Sequence, residues 1–178
     1  MLAGWANAGT RPKFDIVTGI SAGALIAPFA FLGPAYDGEL KDGFTQVSDA
    51  NIYTKHSILG ALSSGSFTSN APLAKMLDEH ITDDVLAEIA SEYSKGRRLF
   101  IGTTNPDADR AVIWDMGAIA ASGRPDRKKL FNEVILASTS VPGIFPPGNL
   151  EVTAAGRTIK RCMWTAAPPT RSSSCQPG

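Results

Sequence analysis

The chain has 178 residues, 17 Lys+Arg against 17 Asp+Glu, 43% hydrophobic and 8% aromatic. That composition excludes wholesale disorder and suits one globular domain, able to bury roughly two-thirds of the surface its unfolded chain exposes. A net charge of zero gives no long-range pull toward polyanions, and the largest basic cluster is Arg127-Lys128-Lys129, so no nucleic-acid partner is expected.

The longest apolar run, Ala24 to Leu32, is interrupted by Pro28 and is well short of the roughly 18 residues that a membrane-spanning helix needs. Met1-Leu2-Ala3-Gly4-Trp5 carries neither the basic nor the apolar region of a signal peptide, which makes cytoplasmic the default expectation. Cys162 and Cys175 lack histidine neighbours and zinc-ligand spacing, so no metal is expected.

In chain order, a short helix is predicted at Leu2–Ala8, stopped by Gly9-Thr10-Arg11-Pro12. Phe14 to Thr18 reads as a strand, followed at once by a helix from Ser21 to Phe31. Further helices are predicted at Glu39–Val47, Pro72–Ile81 and Asp83–Tyr93, the last with Thr82 as N-cap and two aspartates in its first turn. Arg98–Thr104 and Ala111–Trp114 are strands separated by a turn at Asn105-Pro106-Asp107. Asp126 is expected to cap a helix running through Ala137, Val141–Pro147 to form a rigid loop, and Leu150–Thr153 a strand. Residues 165–178 contain no large apolar side chain and cannot offset the entropy of ordering, so a disordered tail is expected there. The alternation is that of an α/β protein.

One constellation carries chemistry. Gly19-Ile20-Ser21-Ala22-Gly23 is a G-x-S-x-G set between a predicted strand and helix. Lifting a hydroxyl clear of a strand needs a sharp turn at the serine, and the expectation is that glycines at 19 and 23 remove side chains that would collide there. Ser21 also opens a helix, so amide groups and the positive dipole end lie where the oxyanion of an acyl-transfer intermediate would form. The competing explanation is a chance match, since glycines abound in turns.

A working serine needs a base. A Ser-His-Asp arrangement would draw on His56 or His80, but only 18 residues precede Gly19, too few for the several strands that come before the nucleophile in that fold. His80 ends a helix beside Asp78 and Glu79, where a solvated C-terminal histidine is the ordinary reading.

The stretch Phe14-Asp15-Ile16-Val17-Thr18-Gly19-Ile20-Ser21-Ala22-Gly23-Ala24-Leu25 resembles the nucleophile turn of patatin-like phospholipases. Leu99-Phe100-Ile101-Gly102-Thr103-Thr104-Asn105 resembles the strand that follows that family's helical insert, and Ala137 to Pro147 resembles its helix end and proline loop. The resemblance spans residues 1 to about 153 and implies a three-layer α/β/α hydrolase domain with a central, mainly parallel sheet, incomplete at both ends. Residues 154–178 would then be a divergent tail. It further implies a lipid acyl hydrolase with a Ser-Asp dyad: Ser21 as nucleophile, no cofactor, a lipid ester as substrate and at most peripheral membrane contact.

Two departures stand out. By this resemblance the glycine-rich loop that precedes the family's first helix is expected to be absent, the chain starting at Met1-Leu2-Ala3-Gly4-Trp5 inside that helix, which would cost oxyanion donors and leave a sheet edge open. The Asp-Gly-Gly or Asp-Gly-Ala that follows the proline loop is also missing: no aspartate occurs after Asp126, Glu151 is the only carboxylate beyond that loop, and the Asp-Gly pairs at 37–38 and 42–43 lie in the wrong part of the chain. The codons AGA TGC ATG TGG ACG GCG GC can encode Arg161 to Ala167, and the frame starting at their third base reads Met-His-Val-Asp-Gly-Gly. A frameshift between about Ala155 and Lys160 would therefore account for the lost aspartate, leaving the chain impaired or a non-catalytic remnant with an acyl-binding groove.

Overall fold

The computed structural model describes residues 2–45, 54–55, 68–105, 110–140, 148–154 and 157–165. The chain opens with α1 (Leu2–Asn7), whose Trp5 ring meets Phe14 edge-on at 5.9 Å, and reaches β1 (Ile16–Gly19). After the turn at Ile20 and Ser21 comes α2 (Ala22–Leu32), with Pro28 buried inside it. Gly33 ends that helix at φ 110°, a conformation that favours glycine, and a 3-10 turn at Pro34–Tyr36 leads into α3 (Asp37–Thr45). Two short strands, β2 (Thr54–Lys55) and β3 (Thr68–Ser69), pair antiparallel.

Next come α4 (Ala71–His80) and α5 (Asp83–Ser94). Thr82 caps α5 as expected, its hydroxyl accepting from Val85 N at 3.3 Å. β4 (Arg98–Asn105) and β5 (Arg110–Asp115) follow. The sequence offers no sign of α6 (Met116–Ala121), a six-residue helix of small residues without an apolar period. It forms because Asp115 accepts from Ala118 N at 2.9 Å, and Gly117 lets the Tyr93 ring lie against it: a Cβ there would sit 2.3 Å from Tyr93 Cδ2.

Asp126 stands at the N-cap position of α7 (Arg127–Thr139), but its carboxylate caps nothing. It is held by Arg124, at 2.8 and 2.7 Å, and that hydrogen bond pulls its pKa below the usual carboxylate value. The chain closes with a hairpin, β6 (Gly148–Ala154) and β7 (Arg157–Met163). β7 lies in the segment expected to be divergent tail. The reason is backbone pairing: Gly148 to Ala154 register against Met163 to Arg157, and Trp164 continues onto β4 through two bonds with Thr104, at 2.9 and 3.0 Å. Cys162, Met163, Trp164 and Thr165 are buried. Residues 166–178, the turn at 106–107 and the loop at 141–147 lie outside the described residues.

The central sheet runs β1-β4-β5. β1 and β4 are parallel, Ile16 opposite Arg98 and Gly19 opposite Ile101, while β5 runs antiparallel to β4. The fold is α/β as expected, with a mixed three-stranded sheet. Alternation puts Leu99 and Ile101 on one face, fully buried in a core with Ala24, Phe31, Leu86, Ile89, Met116, Phe131, Val134 and Ile135. On the other face Ile16 and Ile113 remain exposed.

Arg97 fastens the ends of the β1–α2 unit. Its guanidinium, nearly buried, donates to the carbonyls of Phe14 and Phe31 and to Glu92, each within 2.8 Å, and lies 4.2 Å above the Phe31 ring. The strand and helix on either side of the serine turn are thereby held to one another at the end remote from the turn.

Candidate active site

Ser21 sits where β1 ends and α2 begins, with φ 55° and ψ −128°. It is the only non-glycine residue with positive φ among the described residues, and such a backbone costs on the order of 1–3 kcal/mol. An ordinary N-cap serine has extended backbone and turns its oxygen onto the second or third helical amide. Ser21 makes no such side-chain bond, so its hydroxyl is not spent on the helix. Gly23 N–H and Ala24 N–H are taken by the carbonyls of Ile20 and Ser21, each at 2.9 Å. Ala22, exposed, opens α2, and helix geometry gives its amide no intrahelical acceptor. A partial positive charge thus lies beside the Ser21 side chain.

The two glycines of the motif differ. A Cβ on Gly19 would fall 2.5 Å from Gly23 O, 2.8 Å from Gly23 C and 2.9 Å from Ala24 Cα, all backbone atoms that cannot step aside. Gly19 is therefore needed for α2 to start back over the strand end. Gly23 meets nothing within 4 Å among the described residues, so the collision expected at this position is not found among them; the tight approach is made from the Gly19 side. Ile20, half exposed, lays its side chain over Gly102, where a Cβ would stand 3.0 Å from Ile20 Cγ1.

Ser138, near the C-terminus of α7, belongs to no catalytic motif visible in the sequence. Its fully buried hydroxyl accepts from Ser21 N at 3.1 Å and donates to Gly102 O at 2.7 Å. The available signal was helical spacing: 138 shares the stripe of Phe131, Val134 and Ile135, and a polar residue on a buried stripe must have a partner.

No carboxylate or imidazole hydrogen-bonds Ser21 Oγ among the described residues. His80 ends α4 and has no bond to Ser21; His56 lies outside the described residues. Asp37 is engaged elsewhere, in an ion pair with buried Arg11 at 2.6 Å. Glu151 lies in β6, opposite Lys160. No cluster of three or more potential metal ligands occurs among the described residues.

A parallel strand pair, a strained serine between strand and helix, and a helical core on one sheet face define an α/β protein built around a serine turn. The family model for patatin-like phospholipases matches residues 1–159, and the chain belongs to that family. At family level this is a lipid hydrolase domain with lipid substrates. No curated protein matches the chain.

Proposed function

We propose that the chain is a patatin-type lipid acyl hydrolase scaffold with Ser21 as nucleophile, and that its turnover is impaired because the partner carboxylate is missing. The observation that carries the first half is the Ser21 backbone, φ 55° and ψ −128°, with the hydroxyl unused by α2. A strained serine whose side chain caps nothing serves no purpose in folding. In the reaction, Ser21 Oγ would attack the ester carbonyl as its proton leaves to a base. The carbonyl oxygen would gather charge beside the first amides of α2, the alcohol would depart, and water would release the acyl group. The second half rests on the sequence, which has no aspartate after Asp126, and on the lack of a carboxylate bonded to Ser21 among the described residues.

Labelling the purified chain with a fluorophosphonate tests this reading. Slow labelling abolished by Ser21→Ala supports an activated serine, and no labelling of the wild-type chain supports the alternative, a non-catalytic remnant that keeps an acyl-binding groove. A histidine-assisted esterase would instead lose its labelling in His56→Ala or His80→Ala. The substrate is read as a lipid ester met at peripheral membrane contact; no helix among the described residues is long and apolar enough to cross a membrane. Nucleic acid is not proposed as a partner, because Arg127, Lys128 and Lys129 are paired with Asp83, Asp78 and Glu133.

A further inference from the structure

We propose that Ser138 is a positioning residue for Ser21: its hydroxyl stands in for the rung of the β1–β4 ladder that the serine turn leaves behind. The inference rests on the reading of Ser21 as nucleophile, and its geometric part can be tested apart from it.

The register makes the case. Ile16 lies opposite Arg98, and Arg98 N–H donates to Asp15 O at 2.8 Å. In a parallel pair this means that alternate residues of β4, those at 98, 100 and 102, direct both backbone groups toward β1. Continuing the pattern past Gly19 and Ile101, the carbonyl of Gly102 would accept the amide of residue 21. The chain turns off the sheet there, and that bond is not made directly. Ser138 Oγ occupies the gap, accepting Ser21 N–H at 3.1 Å and donating its own proton to Gly102 O at 2.7 Å.

Its neighbours show that this is not the default behaviour of a hydroxyl in the last turn of α7. Thr139 and Ser140 both bond back to Leu136 O within their own helix, at 2.9 and 2.8 Å. Ser138 alone of the three reaches out of the helix. The inserted oxygen lets β1 and the turn diverge while Ser21 N–H and Gly102 O, both otherwise pointing into protein, stay satisfied. It also fixes the peptide plane before Ser21, and with it the φ of 55° that keeps the side chain off the helix. Gly102 serves the same junction by giving Ile20 room to lie on the strand.

The test measures amide hydrogen exchange by NMR and fluorophosphonate labelling in the full chain, for wild type, Ser138→Ala and Ser138→Thr. The Ser21 amide is expected to be protected in wild type. In Ser138→Ala it should exchange about tenfold faster relative to the Ile81 amide, which bonds Leu77 O far from the turn, and Ser138→Thr should recover most of the protection. Labelling at Ser21 should fall by a similar factor in Ser138→Ala and recover in Ser138→Thr. The proposal is overturned by an unprotected Ser21 amide in wild type, by labelling indifferent to Ser138→Ala, or by equal acceleration of Ser21 and Ile81, which would mark general loosening. Should Ser138→Ala not fold, the wild-type exchange rate and Ser138→Thr still decide. If wild type does not label at all, the nucleophile reading fails, while the exchange measurements alone settle the role of Ser138.

Discussion

Gly19 and Gly23 flank Ser21 symmetrically in sequence, yet only one of them is sterically required. Gly19→Ala would drive a methyl into the Gly23 carbonyl, 2.5 Å away, and overpacking against fixed backbone costs about 1–3 kcal/mol or more. Gly23→Ala enters open space inside a helix, where alanine is favoured over glycine by up to about 1 kcal/mol. Urea unfolding should therefore show Gly19→Ala clearly destabilised and Gly23→Ala equal to or more stable than wild type. The pentapeptide was legible in the sequence because its residue types and spacing recur wherever a serine is raised on a turn. Which glycine bears the contact was not, since that depends on how closely α2 folds back over the end of β1. Ser138 was hidden for a related reason: its partners are 117 and 36 residues away in the chain.

The elements themselves were largely legible, and their ends less so. Thr82 before α5 and Asp126 before α7 are both N-cap residues of ordinary type. Thr82 caps and Asp126 does not, because Arg124 is two residues away and offers the carboxylate a bidentate partner. Thr82→Ala should lower stability by about 1 kcal/mol, while Asp126→Ala, an exposed pair, should leave the unfolding midpoint unchanged. Differential scanning calorimetry on the two variants checks the contrast.

The stronger tie between elements is Arg97 with Glu92. Hydrogen bonds from Lys13 first, then Lys95 and Arg97, hold the Glu92 carboxyl down from the ordinary 4.5 to about 2. Because the folded pKa lies below the unfolded one, the charged Glu92 stabilises the fold fully above about pH 5, and this stabilisation fades as pH falls toward 2. Chemical unfolding between pH 6 and 2 should show that decline, and Glu92→Gln should flatten it. Arg97→Met removes one of the three cations around Glu92, Lys13 and Lys95 remaining, and leaves the Phe14 and Phe31 carbonyls unmet; a loss of about 2–3 kcal/mol is expected.

For the molecule as a whole, alternating strand and helix signals sufficed for the α/β class, and three short segments in order sufficed for the family. Neither could foresee that residues 157–165 belong to the body. Their composition is polar and carries no strong period; what orders them is a backbone ladder with β6 and the end of β4, and ladders leave little trace in side-chain pattern. The same result bears on the missing base. Trp164 is fastened to Thr104, Thr165 N donates to Ser140 O at 2.8 Å, and two residues before Ser140 stands Ser138, bonded to the Ser21 amide. The C-terminal segment thus reaches, at Thr165, the helix end that supports the serine turn, and the Thr165 codon supplies two of the three bases of the aspartate read in the shifted frame. Trp164 beside it also sits poorly, for its indole N–H is buried without a hydrogen-bond partner among the described residues.

If the aspartate has been lost by a frameshift, the triple variant Thr165→Asp, Ala166→Gly, Ala167→Gly should raise fluorophosphonate labelling at least about tenfold, equivalent to about 1.4 kcal/mol of barrier. It should also bring hydrolysis of a short-chain p-nitrophenyl ester above background, and Ser21→Ala on top should abolish both gains. The unfolding midpoint, followed alongside, separates a folded variant without a base from an unfolded one. A folded triple variant no faster than wild type would mean that residue 165 is not where the carboxylate belongs, and sequencing the gene across codons 155–165 would then be expected to show a single intact frame.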